Sequence, residues 1–136
     1  MSNLEKTLSI IKPDAVARNL DNEIKEIFKN KGFVIQKEKK IQIEKLEAEK
    51  FYKVHETKPF YNDLCTYLSS GPIVVMVLEK KNAVLENREL MGSTNPEDAA
   101  EGTIRKKYGI SIDKNSVHGS DSVENANIEI DFFFKD

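Results

Sequence analysis

Apolar and polar positions follow one another along the chain in patterns that predict strands and helices in turn. Thr7 to Ile11 is a short apolar run that ends at Lys12-Pro13, which is typical of a buried strand followed by a turn. Asn19 to Lys31 then places its apolar residues on one helical face, with Gly32 at the C-cap position. The chain is therefore expected to begin with a strand and a helix.

The middle of the chain predicts a strand, two helices and a further strand. The first of these strands is predicted because apolar residues alternate in part with polar ones. The apolar residues are Phe33, Ile35, Ile41 and Ile43. Glu44 to Glu56 has apolar residues at helical spacing, and Pro59 opens another helix that ends at Ser70-Gly71-Pro72. Ile73 to Leu78 is continuously apolar, which favours a strand buried on both faces.

The last third predicts a helix, a loop, a short strand and a final helix. Asn82 to Met91 is expected to be helical, residues 92–114 are mostly loop because they lack periodicity, and Asn115 to His118 forms a short edge strand. Asp121 is expected to cap the last helix, with Glu124 completing a capping box. The residues expected on the inner face of that helix are Val123, Ile130 and Phe133.

This order of elements predicts an α+β sandwich, in which helices lie on one small sheet. The length of 136 residues fits one domain, spanning 1–136, and leaves no room for a second. The formal net charge of −2 shows no basic excess, so no nucleic-acid partner is expected.

Cysteine content and hydropathy indicate the cellular location of the protein. The single cysteine, Cys65, cannot form an internal disulfide, and no zinc-ligand spacing is present. The N-terminus has no signal-peptide pattern, and the longest apolar stretch, 73–78, is too short to span a bilayer. We therefore expect a cytoplasmic protein without a membrane partner.

The two histidines of the chain have different surroundings. His118 lies within 115–121, between the edge strand and the last helix, where a side chain on a rigid scaffold is open to a substrate. The nearby helix N-terminus supplies N–H groups and partial positive charge that favour a phosphate. Taken alone, the segment is more typical of an ordinary capping turn, because short motifs often match by accident. His55 is interpreted as a partly exposed helix residue outside the chemistry.

Groups suited to phosphate stand at the ends of predicted elements: Lys12, Arg88, Thr94 and Arg105. Arginine can bind two phosphate oxygens at once. Each of these residues taken alone is more typical of an ordinary surface position. The sequence contains neither a Walker-type loop nor a G-x-G-x-x-G motif, so dispersed side chains would have to hold any nucleotide.

The segment Asn115-Ser116-Val117-His118-Gly119-Ser120-Asp121-Ser122 resembles the active-site signature of nucleoside diphosphate kinases. Further segments match the same family in the same order, at 11–16, 58–61, 70–72, 88–92, 94–96 and 102–105. Because these segments span nearly the whole chain, the sequence is identified as similar to that family.

The resemblance implies a ferredoxin-like core, which is a four-stranded antiparallel sheet covered by helices. It also implies that Nδ1 of His118 takes the γ-phosphate of ATP and passes it to a nucleoside diphosphate. Glu129 and Ser120 resemble the residues that orient this histidine. The implied substrate-binding residues are Lys12, Tyr52, Arg88, Thr94 and Arg105 for phosphates, Asn115 with Lys12 for the ribose, and Phe60, Leu64 and Ile112 for the base.

The resemblance further implies Mg²⁺ held mainly by the nucleotide phosphates and water, with Asp121 at most an indirect ligand and no metal site of the protein's own. Family members form tetramers or hexamers, and the sequence does not choose between them. Glu101 and Lys106-Lys107 depart from the family pattern in a loop that packs subunits in the family, so they bear on assembly more than on activity.

Two other functions remain open from the residues. One is a scaffold that binds nucleotides or a partner protein without turnover, and the other is a histidine phosphocarrier charged by another protein. An incomplete set of catalytic residues would favour the scaffold, but the set is complete. The residues expected to hold a base and its phosphates favour a kinase over a phosphocarrier.

Overall fold

The computed structural model describes residues 4–112 and 114–134. Its strands are β1 (Leu4–Ile11), β2 (Val34–Ile41), β3 (Ile73–Lys81) and β4 (Val117–Gly119). Its helices are α1 (Pro13–Ala17), α2 (Asp21–Asn30), α3 (Lys45–Phe51), α4 (Tyr61–Leu68), α5 (Ala83–Met91), α6 (Ile104–Tyr108) and α7 (Val123–Phe133). Two 3₁₀ turns span Lys53–His55 and Pro96–Asp98.

The four strands form one antiparallel sheet in the order β2-β3-β1-β4. β1 is therefore central, and its Ile10 lies opposite Val75 of β3 on one side and His118 of β4 on the other. The predicted four-stranded antiparallel sheet is confirmed, and β4 is an edge strand as expected. This pairing places the last strand of the chain against the first.

The sheet is covered on both faces, because successive side chains of a strand point to opposite sides. On one face Ile11 packs in a core with Phe28 of α2 and Met91 of α5. On the other face Ile10 packs in a core with Phe133 of α7. Burying a large apolar side chain completely contributes about 1.5–3 kcal/mol, so the two cores hold the helices in place. His118 lies opposite Ile10 and thus on the α7 side of the sheet.

The start of the last helix differs from the prediction. Ser122, rather than Asp121, is the N-cap, and its Oγ accepts a hydrogen bond of 3.0 Å from the backbone N–H of Asn125. The third helical residue is therefore Asn125, so the capping box predicted with Glu124 is wrong. The helix begins one residue later than expected because a serine oxygen satisfies its first-turn donor.

The inner face of α7 was predicted correctly in two of three positions. Phe133 is 6% exposed and Ile130 packs partly buried against the same core. Val123 is 47% exposed, so its placement in the core was wrong. It is the first helical residue and lies beside the cap, where the chain is still at the surface.

Two short helices lie where the sequence predicted turns or loop. α1 follows β1 directly, with Pro13 at its first position, and α6 interrupts the segment predicted as loop. The side chain of Thr103 caps α6 by accepting from the backbone N–H of Lys106 at 3.3 Å. A helix of five residues is too short to show an apolar period, so the pattern could not reveal either one.

The helix predicted from 44 to 56 is also shorter than expected. α3 ends at Phe51, and the 3₁₀ turn Lys53–His55 follows it. His55 is therefore not on a regular helix. Within the part of the chain described here, no helix has the length and apolar character needed to cross a membrane.

Candidate active site

Hydrogen bonds hold the residue that precedes β4, the strand that carries His118. Ser116 precedes β4 with a φ of 75°, in the left-handed region that non-glycine residues seldom adopt. Its Oγ donates a hydrogen bond of 2.9 Å to Oδ2 of Asp14, and its carbonyl accepts one of 2.8 Å from the backbone N–H of Lys12. Such conformations cost free energy and persist only where their surroundings hold them. β4 therefore enters the sheet in a defined position.

His118 is oriented by a carboxylate from α7. Its Nε2 lies 3.0 Å from Oε1 of Glu129, and the same oxygen accepts a hydrogen bond of 2.8 Å from Oγ of Ser120. The side chains of His118 and Glu129 are 19% and 20% exposed, so the pair is shielded yet reachable. This arrangement brings together the three residues predicted to be catalytic.

The other ring nitrogen of His118 stays available. Among the described residues, none forms a hydrogen bond with Nδ1. The ring of Phe51 packs edge-on against the imidazole, with 5.4 Å between centroids. In the neutral ring, a carboxylate at Nε2 favours the tautomer that carries its proton on Nε2. Nδ1 then presents a lone pair, as a nucleophile requires.

Three of the residues predicted to bind substrate are linked by hydrogen bonds. Nζ of Lys12 donates 2.9 Å to Oδ1 of Asn115, whose Nδ2 donates 3.0 Å to the carbonyl of Thr94. Lys12 is 6% exposed and Asn115 is 2% exposed. The ammonium group is thus held at one position instead of moving freely in solvent.

Two arginines contact β4 and the segment that follows it. Nη1 of Arg105 donates 2.9 Å to the carbonyl of Gly92, and Nη2 donates 2.9 Å to the carbonyl of Val117. Burial lowers the pKa of Arg105 to about 10, with a second contribution from the nearby charge of Arg88. The guanidinium therefore remains charged at neutral pH. Arg88 is exposed and donates a longer bond, 3.4 Å, to the carbonyl of Asp121.

Tyr52 is buried within reach of the charges of Glu129 and Arg105. It is 6% exposed. Burial raises the pKa of its hydroxyl, the charge of Glu129 raises it further, and Arg105 opposes both effects. The hydroxyl therefore stays protonated at neutral pH and can act as a hydrogen-bond donor.

The residues predicted to hold the base are less clearly assembled. Phe60 is 43% exposed and Ile112 is 54% exposed. Leu64 lines a cavity of about 170 Å³ with Lys114 and neighbours of α4. The ring contact that Phe60 makes is with His55, at 6.0 Å between centroids. A base sandwich among these three residues stays a prediction.

Two cavities contain half of the predicted site residues. One of about 640 Å³ is lined by Arg88, Thr94 and Arg105, among others. A second, of about 170 Å³, is lined by Tyr52, His118 and Glu129. The first therefore contains phosphate-binding candidates, and the second contains His118 and Glu129, which are predicted to be catalytic.

The second cavity also contains residues that the sequence did not assign to the chemistry, above all Phe51 and His55. In the sequence, Phe51 is one of the apolar residues at helical spacing in 44–56, and His55 is interpreted as a partly exposed helix residue. Helical spacing could not show that Phe51 contacts the ring of His118 or that His55 lines the cavity beside it. Both depend on how α3 and the turn after it pack against β4.

Comparison with known proteins shows the family of this chain. Residues 5–136 match the family model described as nucleoside diphosphate kinase. A nucleoside diphosphate kinase of Campylobacter lari is 59% identical over 131 residues, which cover 96% of each chain. One of Nitratiruptor sp. is 58% identical over 131 residues, again 96% of each chain.

Solved structures agree as well. The nucleoside diphosphate kinase of Aquifex aeolicus superposes with a TM-score of 0.95 at 40% identity, covering 96% of this chain and 95% of that one. That of Encephalitozoon cuniculi gives 0.93 at 39% identity, covering 97% and 90%. Fold, site and relatives together define a kinase. The chain belongs to the nucleoside diphosphate kinase family.

Proposed function

We propose that this chain transfers the γ-phosphate of a nucleoside triphosphate, mainly ATP, to a nucleoside diphosphate and so maintains the pools of NTPs and dNTPs. The reaction proceeds by a ping-pong route through a phosphate on His118. The observation that carries this proposal is the contact of 3.0 Å between Nε2 of His118 and Glu129, which leaves Nδ1 to attack.

The covalent step forms a bond between Nδ1 of His118 and the γ-phosphorus while the bond to the bridging oxygen of the donor breaks. The donor leaves as a diphosphate, and an acceptor diphosphate then takes the phosphoryl group in the reverse sense. As the ring accepts the phosphoryl group it becomes positive, and the carboxylate of Glu129 stabilises that charge. Ser120 orients the carboxylate through its own bond to Oε1.

Charge on the moving phosphoryl group needs cationic partners, since phosphoryl transfer relies on positioning and electrostatic stabilisation. Arg105 and Lys12 are supported in this role because protein oxygens already hold both groups in place. The proposed phosphate-binding set is Lys12, Tyr52, Arg88, Thr94 and Arg105, and Asn115 with Lys12 would contact the ribose. Removing one such donor costs on the order of 2–4 kcal/mol in the barrier.

The base would lie between Phe60 on one side and Leu64 with Ile112 on the other. The exposure of Phe60 and Ile112 supports this placement, because a contact surface for a ligand must be open before the ligand binds. Stacking accepts any base, since every base has a π-face. The proposal therefore includes acceptance of many nucleotides.

Mg²⁺ fits this site only as a companion of the nucleotide. Within residues 4–112 and 114–134, no group of three or more His, Cys, Asp or Glu side chains could hold a metal ion. Asp121 lines the catalytic cavity and would reach the ion at most through water. When bound through the phosphates, Mg²⁺ would neutralise part of their charge.

The proposal further treats residues 1–136 as one domain of a cytoplasmic homo-oligomer, either a tetramer or a hexamer. The two sheet cores share β1 and β3, which supports a single folding unit. Sedimentation of the purified chain would separate the two assemblies, and a monomer would contradict both.

A label-and-chase assay tests the activity. The protein is incubated with γ-labelled ATP and then chased with GDP, beside His118→Ala. An enzyme takes acid-labile label on His118 and releases it as GTP, whereas His118→Ala takes none. A scaffold without turnover takes no label from ATP. A phosphocarrier takes label from a phosphorylated protein but not from ATP, and either outcome overturns the proposal.

A further inference from the structure

His55 lies in the same cavity as the catalytic pair. This cavity of about 170 Å³ is lined by both histidines of the chain, together with Tyr52, Asp121 and Glu129. Its volume is nearly six times the ~30 Å³ that one water occupies in the liquid, so it can hold a phosphoryl group. No pattern in the sequence places His55 there.

The local fold holds the His55 ring in this position. The 3₁₀ turn that follows α3 is closed by a hydrogen bond of 2.7 Å from the backbone N–H of His55 to the carbonyl of Tyr52. The ring then lies between two aromatic rings, with centroids 6.2 Å from Tyr52 and 6.0 Å from Phe60. Tyr52 in turn packs against Phe51, which contacts His118. A continuous aromatic contact therefore connects the two imidazoles.

Neither ring nitrogen of His55 has a hydrogen-bond partner among the described residues, and Nδ1 is buried. A buried N–H without an acceptor is costly, and a buried charge costs more. The ring is therefore best accommodated as the neutral tautomer that carries its proton on Nε2. That tautomer leaves a lone pair on the enclosed Nδ1 and one N–H donor on the other side of the ring.

The charged groups around His55 agree with a neutral ring. Burial lowers the pKa of His55, and Lys58 on the following loop lowers it further. Asp121, before α7, and Glu129, on α7, act in the opposite direction, while His118 on β4 adds a smaller lowering. Because the lowering effects prevail, the imidazole is uncharged at neutral pH.

We propose that His55 contacts the reacting phosphate, its Nε2–H donating a hydrogen bond to an oxygen of the phosphoryl group carried on Nδ1 of His118. This inference rests on the proposed function. His55 gains and loses no proton in the cycle, since the bonds that form and break are those between phosphorus and Nδ1 or the nucleotide oxygen. Its donor is offered to the phosphoryl group in both half-reactions.

A neutral donor suits a group that must leave again. Hydrogen bonds from charged donors are roughly twice as strong as those between neutral partners. Lys12 and Arg105 already supply positive charge, and a further cation would hold the phosphoryl group on the enzyme more firmly. An uncharged N–H orients a phosphoryl oxygen but lowers the free energy of the phosphohistidine intermediate less than a cation would.

Matched variants separate a hydrogen-bonding role from a packing role. His55→Phe keeps an aromatic ring between Tyr52 and Phe60 but has no donor, and His55→Gln restores an N–H near the position of Nε2. In single-turnover transfer from the phosphoenzyme to GDP, we expect His55→Phe to be about three- to tenfold slower, as for one lost neutral hydrogen bond. His55→Gln should recover most of that loss. Equal rates for His55→Phe and the unchanged protein would overturn the inference.

A second measurement needs no substitution. The chain has two histidines, so ¹⁵N-histidine labelling yields few ring signals. Before phosphorylation, His55 should show the tautomer protonated at Nε2, and phosphorylation of His118 should move that N–H signal downfield. An unchanged His55 signal in a stoichiometrically phosphorylated protein would refute the contact. If the unchanged protein takes no phosphate on His118, the proposed function itself fails, and this result is distinct from a failure of the His55 contact.

Discussion

Arg105 of α6 donates a hydrogen bond of 2.9 Å to the carbonyl oxygen of Val117, the residue before His118. The helix that carries a predicted phosphate-binding cation is thereby tied to the strand that carries the predicted nucleophile. A second bond, to Gly92, uses the other end of the same guanidinium. The cation therefore has a structural role as well as an electrostatic one, and the two can be measured separately.

Replacing Arg105 by alanine should weaken both activity and stability. Loss of the cation should lower kcat/KM by about 10²- to 10³-fold. The carbonyls of Gly92 and Val117 would lose their partner, so the free energy of unfolding should fall by about 1–3 kcal/mol. Arg88→Ala is the matched control, since Arg88 makes one long bond at the surface. It should lower activity while changing stability by less than about 0.5 kcal/mol. Urea unfolding and steady-state kinetics measure both, and equal stabilities of the two variants would contradict the structural role.

Replacing Glu129 by glutamine should slow phosphorylation of His118 without unfolding the protein. The amide can still accept from Nε2–H, but it cannot stabilise the positive ring of the intermediate. By analogy with carboxylates that orient metal-binding histidines, we expect a loss of at least about 10- to 100-fold. Glu124→Gln, an exposed change on the same helix, should leave the rate unchanged. Rapid-quench measurement of labelled enzyme after mixing with ATP gives the rate, and a rate for Glu129→Gln equal to that for Glu124→Gln would argue against the orienting role.

Gly119→Ala should destabilise the edge strand next to His118. A Cβ at this position would lie 2.4 Å from Nδ2 of Asn87 and 2.6 Å from Cε of Met91. Asn87 is fully buried and cannot move into solvent, so overpacking should cost about 1–3 kcal/mol. Gly71→Ala is the control, because its nearest contact, 3.6 Å to Pro13, is ordinary. Thermal unfolding compares the two, and similar melting temperatures would show that α5 yields more readily than we expect.

Asp14→Asn should loosen the segment before β4. Oδ2 of Asp14 accepts hydrogen bonds from Oγ of Ser116 at 2.9 Å and from Nη2 of Arg18 at 3.0 Å, and the carboxylate also accepts one from the hydroxyl of Tyr67. An amide can replace only part of this set, so we expect a loss of about 1–3 kcal/mol in the free energy of unfolding. Asp131→Asn, an exposed change on α7, should have no effect. Amide hydrogen exchange at Ser116 and Val117 should rise in the first variant, and unaltered exchange there would contradict the prediction.

His55 should make stability depend on pH in mildly acidic solution. Its pKa is lowered in the folded protein, chiefly by burial, so the unfolded chain binds the proton more readily. Between the usual histidine pKa of about 6.5 and the lower folded value, the unfolded state therefore carries more protons, and stability falls as pH falls. His55→Gln removes this contribution. Urea unfolding at pH 7.5, 6.5 and 5.5 should show a steeper decline for the unchanged protein than for the variant, and parallel declines would contradict the lowered pKa.

Hydrophobic patterning was enough to predict the three longer strands and most helices. β1, β2 and β3 each contain an apolar or alternating run, and α2, α4 and α5 show apolar spacing with recognisable ends. The short helices α1 and α6 were not predicted, because five residues contain little more than one turn and cannot show an apolar period. Local pattern likewise named the wrong cap for α7, since Asp121 and Ser122 are both capable caps and only the path of the chain chooses between them.

Some residues of the candidate site could be named from the sequence, whereas some of their contacts are visible only in the structure. Motif resemblance named His118, Ser120 and Glu129, and the structure joins their side chains by hydrogen bonds. The contact of His118 with Phe51 and its shared cavity with His55 had no counterpart in the sequence pattern. Both depend on a helix ending at Phe51, four residues before His55, and on how that helix lies against β4.

The order of residues alone established the chemistry available to this protein: one histidine in a glycine-serine turn, dispersed cations and two apolar faces for a small sheet. Packing decided which of these groups meet. Lys12 and Asn115 stand 103 positions apart and yet share a hydrogen bond of 2.9 Å, because the first strand pairs with the last. Side-chain periodicity reports which face of an element is apolar, but it carries no information about the distant partner that buries that face. The neighbours of His118 are therefore a property of the assembled sheet.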